Sequence, residues 1–243
     1  MSVLSGKGAL VTGGARGIGK AIVERLAADG AEVVFCYRSS DEAAEQVAKE
    51  TGAHAVRADV GDEEDLRRLF AAAEARLPGL DILVNNAATA EAQKPIDAVT
   101  SEDYDRVFAV NTKAVFLAIQ WAGRVMRDNG RIINVSSLNT HVPAPTLALY
   151  CASKAAIEQF AKVAARELGG RGITVNAVSS GATDTDMLRG ANPPEALERM
   201  PAMTALGRLG RPDDIAAVVA FLAGPDGRWV TGQNILATGG LLV

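Results

Sequence analysis

The chain has 243 residues, 48% of them hydrophobic and 22% charged, a composition that suits a large buried core and not a disordered segment. A net charge of −4 without any basic block argues against nucleic acid or an anionic membrane surface as a main partner, and the longest apolar run, nine residues from Ile215 to Ala223, is far below the ~18 that a spanning helix needs. Two cysteines (Cys36, Cys151) and two histidines (His54, His141) give neither a disulfide framework nor zinc-ligand spacing, so no metal is expected. Met1 to Lys7 lacks the layout of a secretory signal, and the expectation is a soluble, cytoplasmic protein.

Ala9–Val11 reads as the first strand, short and apolar. It runs into Thr12-Gly13-Gly14-Ala15-Arg16-Gly17-Ile18-Gly19, after which Ile18, Ile22 and Leu26 repeat at helical spacing. Strand, glycine-rich turn and helix N-terminus together form an anion site: backbone N–H groups and the helix dipole face a pyrophosphate, and missing side chains permit close approach. Taken alone, the turn also suits a tight connection that uses glycine only for positive φ.

Glu32–Tyr37 is the second strand, followed by Arg38-Ser39-Ser40-Asp41. An acidic residue about 20 positions past the glycines binds the ribose 2′-hydroxyl of NAD in dinucleotide folds. Here that place, nineteen residues after Gly19, holds Arg38, whose guanidinium suits a 2′-phosphate. Arg38, with Ser39 beside it and Arg16 in the turn, favours NADP(H). Asp41 is the rival that would favour NAD(H), and a solvated Arg38 is the structural alternative.

Leu66, Leu69, Phe70, Ala73 and Leu77 mark a helix, and Ile82–Val84 and Arg131–Val135 are further strands. Ile157, Phe160, Ala164 and Leu168 mark a helix, Ile173–Val178 a strand, and Ile215, Val218, Val219 and Leu222 a last helix. Apolar runs without alternation indicate parallel strands covered on both faces. The strand–helix alternation predicts an α/β protein: a single doubly wound Rossmann-type domain over residues 1–243, its parallel sheet of about seven strands carrying helices on both faces. Residues 179–209, with Pro193, Pro194 and Pro201, read as one long irregular stretch of the functional or mobile kind.

Tyr150-Cys151-Ala152-Ser153-Lys154 opens the helix marked by Ile157, after a strand ending Val135-Ser136-Ser137, and this spacing puts a phenol and an ammonium one turn apart on one face. With the Thr12 to Gly19 turn, Asp59-Val60, Asn85-Asn86-Ala87, Asn111, and Gly181 with Thr183, in that order, the chain resembles the short-chain dehydrogenase/reductase family over essentially its whole length. Within that family it looks most like 3-oxoacyl-carrier-protein reductases and related reductases of polyketide and naphthol ketones.

The chemistry follows from the residues. A carbonyl that accepts a hydride needs a proton donor, and a free phenol with a pKa near ~10 exchanges slowly at neutral pH. Lowering it by about two units takes roughly 2.7 kcal/mol, and an ammonium ~5 Å away at an effective dielectric of ~20 supplies about 3 kcal/mol. Lys154 is therefore expected to lower the Tyr150 pKa, with the positive charge of oxidised nicotinamide adding to it.

The resemblance implies Tyr150 as general acid/base, Lys154 also bonded to the nicotinamide ribose, Ser137 on the substrate carbonyl, and Asn111 holding a water that relays protons to Lys154. It further implies that Gly13, Ala15 and Ile18 line the turn at the pyrophosphate, Asp59 and Val60 meet the adenine, Asn86 and Ala87 the adenosine ribose, and Gly181 and Thr183 the nicotinamide end, while Arg16 reads as closing on the same 2′-phosphate as Arg38. Each has a plainer role open to it: Asn111 as cap of the segment 112–122, Ser137 as the end of its strand, Asp59 as cap of the next helix. Cys36 and Cys151 read as small packing residues, and His141 as a solvated loop histidine within reach of substrate.

Two departures from the family pattern are Ala88, in place of glycine after Asn85-Asn86-Ala87, and Ser180, in place of proline before Gly181. Met187, Leu188, Met200, Met203 and Leu206 in the substrate loop at about 181–209 suit either a hydrophobic ketone or core packing. Asp128 stands where carrier-dependent relatives tend to be basic, and Arg124, Arg127, Arg166 and Arg171 only partly offset it. The expected substrate is a small free carbonyl or alcohol compound. The competing readings are an NAD-dependent alcohol or sugar dehydrogenase and a non-catalytic NADP(H)-sensing or scaffold protein. The resemblance also implies a homotetramer, with the helix after Tyr150 and the tail Gly239–Val243 as contact surfaces.

Overall fold

The computed structural model describes residues 2–90 and 93–241. Its strands are β1 (Gly8–Val11), β2 (Glu32–Tyr37), β3 (His54–Arg57), β4 (Ile82–Asn85), β5 (Arg131–Ser137), β6 (Thr174–Ser180) and β7 (Asn234–Ala237). They form one seven-stranded parallel sheet in the order β3-β2-β1-β4-β5-β6-β7. The helices are α1 (Gly17–Ala28), α2 (Asp41–Thr51), α3 (Glu63–Arg76), α4 (Ser101–Phe108), α5 (Ala114–Val125), α6 (Ala148–Leu168), α7 (Asp186–Ala191), α8 (Pro194–Arg199) and α9 (Pro212–Ala223).

Alternate residues along each strand feed two cores. Leu10, Val34, Leu83, Ile132 and Val175 pack against α3, α5 and α6. Val11, Phe35, Val84, Ile133 and Val178 pack against α1, α2 and α9 on the other face. Both faces of the central strands are covered, which is why those strands read as continuous apolar runs.

Two strands and two longer helices carry weak sequence signals. β3 and β7 are the sheet edges, with only part of their side chains covered, so neither forms an apolar run. Helix α2 buries only Ala44 and Val47, and α4 only Asp103 and Val107. The stretch 179–209 is more ordered than its prolines suggest: β6 extends to Ser180, and α7, α8 and a 3-10 turn at Met200–Met203 follow. Pro194 opens α8 at the first helical position, where a missing N–H is harmless.

The chain order reverses between β1 and β4, each of which leads to a different side of the sheet. Ligands of open α/β sheets bind in the crevice at such a switch point, beyond the carboxyl ends of the strands.

Candidate active site

At the switch point the turn after β1 is latched to the turn after β4. The Thr12 hydroxyl oxygen accepts the N–H groups of Asn86 and Ala87, each at 3.0 Å. The Asn86 amide donates to the carbonyls of Thr12 (2.9 Å) and Gly13 (3.0 Å). A side chain on Gly19 would begin 2.0 Å from the Gly13 carbonyl oxygen, so only glycine lets α1 start this close to the turn. Gly13 itself has φ +70°, in the region that favours glycine.

Helix α1 begins without a side-chain cap and without an acidic residue in its first turn, whereas α2, α3 and α4 all carry acids there. Its N-terminal N–H groups and dipole therefore face outward with nothing to repel an anion. A methyl group on Gly17 would lie 3.3 Å from Thr185 Cγ2, so the loop after β6, with Gly181 and the buried Thr183, folds back over the same turn.

Arg38 and Ser39 are exposed just beyond β2. The Arg38 guanidinium lies 4.0 Å from the Asp59 carboxylate, which stands beyond β3 beside the buried Val60. The rival Asp41 pairs with Arg57 at 3.9 Å instead. Asp59 does not cap α3: Asp62 does, accepting the N–H groups of Glu64 and Asp65 at 2.9 Å, while Asp59 accepts the Gly61 N–H.

Beyond β5 the side chains crowd together. Ser137 ends the strand, and its oxygen accepts the Asn139 N–H at 3.2 Å. It also faces the Tyr150 phenol. Lys154 is buried, its Nζ 5.9 Å from the Tyr150 ring centre and donating to the Val135 carbonyl at 2.8 Å. Asn111 is not a helix cap. It lies inside a continuous helical run, within the widened π-helical turn Ala109–Lys113 that joins α4 to α5. Its amide group donates to the Thr89 carbonyl (2.9 Å) and the Ser153 hydroxyl (3.0 Å) and accepts the Thr89 N–H (2.8 Å). Both N–H donors of that amide are used, and its oxygen holds one acceptance.

The electrostatics differ from the sequence expectation. Burial raises the Tyr150 pKa, and the Ser137 hydroxyl only partly opposes it. Burial also lowers the Lys154 pKa to about 8, with the Glu158 charge pulling it back up. An ammonium this deeply desolvated is itself costly to keep charged, so Lys154 alone does not bring the phenol's pKa below its ordinary value in this geometry.

Met187, Met203 and Leu206 are exposed and not packed in the core. Beside the first turn of α6 lies a largely apolar cavity of about 460 Å³, formed by Pro95, Ile96, Pro143–Thr146, Ala148 and Cys151. Cys151 therefore lines a cavity, whereas Cys36 is a buried packing residue whose thiol is pushed up to about 12. Cavity residues 143–146 were missed in the sequence; the signal was the proline pair in the loop before Tyr150. His141 is exposed, its Nδ1 2.9 Å from the Thr140 hydroxyl. Arg171 is tied to Asp128 at 2.9 Å and Arg127 to Asp81 at 3.3 Å. Both lie near the amino end of β5, away from Tyr150.

A doubly wound sheet with an uncapped glycine turn at its switch point and a Ser–Tyr–Lys group beyond β5 defines a dinucleotide-dependent oxidoreductase. A family model described as enoyl-(acyl carrier protein) reductase matches residues 13–242. A hydroxynaphthalene reductase-like protein, Arp2, from Metarhizium brunneum is 44% identical over 98% of this chain and 95% of its own. A short-chain dehydrogenase from Burkholderia cenocepacia solved in complex with NADP is 42% identical, with a TM-score of 0.93 over 99% of this chain and 100% of its own. The angucycline C-6 ketoreductase LanV, solved with bound NADP, is 44% identical, with a TM-score of 0.92 over 99% and 97%. The chain belongs to the short-chain dehydrogenase/reductase family.

Proposed function

We propose that this chain is an NADPH-dependent carbonyl reductase, moving a hydride between NADP(H) and a ketone or secondary alcohol, with one domain serving both cofactor and substrate. The observation that carries the reading is the Tyr150 phenol facing the Ser137 hydroxyl, with the buried Lys154 Nζ 5.9 Å from its ring centre. The glycine cradle fits a dinucleotide, because the space a Cβ at Gly19 would need is already filled by the Gly13 carbonyl and the uncapped start of α1 points outward. Gly13, Ala15 and Ile18 would hold the pyrophosphate, Arg16 would close on the 2′-phosphate with Arg38, Asp59, Val60, Asn86 and Ala87 would hold the adenosine, and Lys154, Gly181 and Thr183 the nicotinamide end. When bound, NADPH supplies the hydride, and the positive ring it leaves favours a phenolate.

Ser137 donates to the substrate carbonyl, and Tyr150 gives its proton to the developing alkoxide. Lys154 stabilises the phenolate that results, passes it a proton, and is itself reprotonated by way of the Asn111 turn. Exposed Arg38 and Ser39 favour the 2′-phosphate, a reading supported by Asp41 being paired with Arg57 and by the NADP held by two solved relatives. The ion-paired Arg127 and Arg171 leave little positive surface for an acidic carrier protein, which supports a free, apolar ketone. A sensor without chemistry would need the turn and Arg38 but not the buried Lys154, whose desolvation is costly.

A cytoplasmic homotetramer fits the exposed apolar residues: Phe116 and Val163 on α5 and α6, and Trp229 and Leu236 along the β7 edge. Leu242 and Val243 of the expected contact tail lie outside the described residues. The test is NADPH oxidation across a panel of aromatic and aliphatic ketones, with cofactor binding measured alongside. Turnover with NADPH preferred is expected. A preference for NADH overturns the cofactor assignment, and tight NADPH binding without turnover on a broad panel favours the sensor.

A further inference from the structure

One helical turn beyond Lys154, on the same face of α6, Glu158 is buried. A buried carboxylate is costly unless it is hydrogen-bonded. Three hydroxyls converge on one of its oxygens: Ser136 on β5 at 2.6 Å, Thr140 in the following 3-10 turn at 2.8 Å and Ser179 on β6 at 3.2 Å. Ser136 and Thr140 flank Ser137, and the Thr140 hydroxyl also lies 2.9 Å from the Ser137 carbonyl and from His141 Nδ1. A hydroxyl has one hydrogen, and the charged carboxylate is the strongest of these acceptors.

We propose that Glu158 is a positioning residue: its carboxylate clamps the segment that carries Ser137, and the end of β6, to the helix that carries Tyr150 and Lys154. The inference rests on the carbonyl-reductase reading for its kinetic effect, and on geometry alone for the clamp. Without the clamp the Ser137 hydroxyl is free to drift from the phenol, and a misplacement of about 1 Å costs on the order of a hundredfold in rate. The carboxylate has a second effect through its charge. The titratable groups around it are Lys154 and Tyr150 on its own helix and His141 beyond Thr140; β5 and β6 present only the Ser136 and Ser179 hydroxyls, and beyond them the neutral amide of Asn234. Glu158 raises the Lys154 pKa against burial, so removing its charge lets that pKa fall.

The test compares wild type with Glu158→Gln, which keeps the shape and one acceptor oxygen, and Glu158→Asp, which keeps the charge but is one methylene short. For Gln, kcat is expected to fall about tenfold with the KM for NADPH within about twofold, and the alkaline limb of the kcat profile to move to lower pH. For Asp, kcat is expected to fall with the limb unmoved. Titration of the Tyr150 phenol by ultraviolet difference, against Tyr150→Phe as blank, gives a readout that needs no substrate. Drift of the Ser137 hydroxyl, whose hydrogen bond holds the phenol's pKa down against burial, is expected to raise the phenol's midpoint in Glu158→Gln.

An unmoved phenol midpoint and an unmoved kcat in Glu158→Gln overturn the proposal, whatever the melting temperature does. If wild type turns over no ketone but the midpoint moves, the clamp stands and the reductase reading fails. If Glu158→Gln does not fold, Thr140→Val, which removes one donor, is expected to lower kcat severalfold at constant KM, and an unchanged kcat there overturns the proposal.

Discussion

The two ends of the site are built from opposite materials. The turn beyond β1 is backbone and glycine, held by the Thr12 and Asn86 side chains, with almost nothing reaching forward except Arg38 and Arg16. The region beyond β5 is a packed cluster of buried polar side chains, in which Asn111, Ser136, Ser137, Ser153, Lys154 and Glu158 are all largely shielded from water. A diphosphate is a fixed charge, best met by N–H groups that need no side-chain ordering. A proton in transit needs donors whose pKa values are tuned by burial and neighbours, which only side chains provide. Changes at the first end should therefore show in cofactor binding, and changes at the second in turnover.

The largest effect expected is at the side-chain end. Tyr150→Phe removes the proton donor and should cut kcat by about 10³-fold, within the usual range for a general acid, while NADPH still binds with its normal affinity. Undiminished kcat in steady-state assays would erase the contrast between the two ends. At the backbone end, Arg38→Asp should weaken NADPH binding by about 10–100-fold, the worth of a charge-assisted contact, and improve NADH. Isothermal titration with both cofactors reads this directly.

Gly19→Ala places a methyl against the Gly13 carbonyl. It should raise the KM for NADPH at least about tenfold, roughly 1.4 kcal/mol, with a smaller change in kcat. A purely kcat effect would mean that the glycine turn shapes chemistry as well as binding.

Two subtler predictions concern Lys154, whose pKa is lowered to about 8. If its positive charge supports the phenolate, ketone reduction should decline as the pH rises through about 8, seen as the alkaline limb of the kcat profile. The same burial is a stability cost. A lysine with a folded pKa below its unfolded value of 10.5 destabilises the fold most at pH values below both, and the cost fades as pH rises from about 8 towards 10.5. Lys154→Met should then be inactive yet more stable by on the order of 1–3 kcal/mol at neutral pH. Thermal melts at neutral and high pH test this, and the gain should shrink at the higher pH.

The contrast also explains what was legible in advance. The glycine spacing, the Arg38 position and the Tyr150–Lys154 pair are local, and helix or turn geometry translates them into place without further information. The central strands were legible because both of their faces are covered. Edge strands β3 and β7 and the polar helices α2 and α4 gave too little periodic burial to stand out. Ser153 and Glu158 lie in the same helix as Tyr150 and Lys154, three and four residues further along, but polar residues on a buried face can be understood only from their partners. Those partners, Asn111, Ser136, Thr140 and Ser179, come from distant parts of the chain.

The sequence by itself determined the doubly wound order, the glycine turn and the Tyr150–Lys154 pair, because each depends on spacing within a few turns of chain. Tertiary structure alone decided that Asn111 sits in a widened helical turn with its side chain already engaged, that Asp41 answers to Arg57, and that both Tyr150 and Lys154 shift away from easy ionisation. The physical reason is desolvation: how far a charge is removed from water, and which distant dipoles replace that water, is fixed only when the strands and helices close around it.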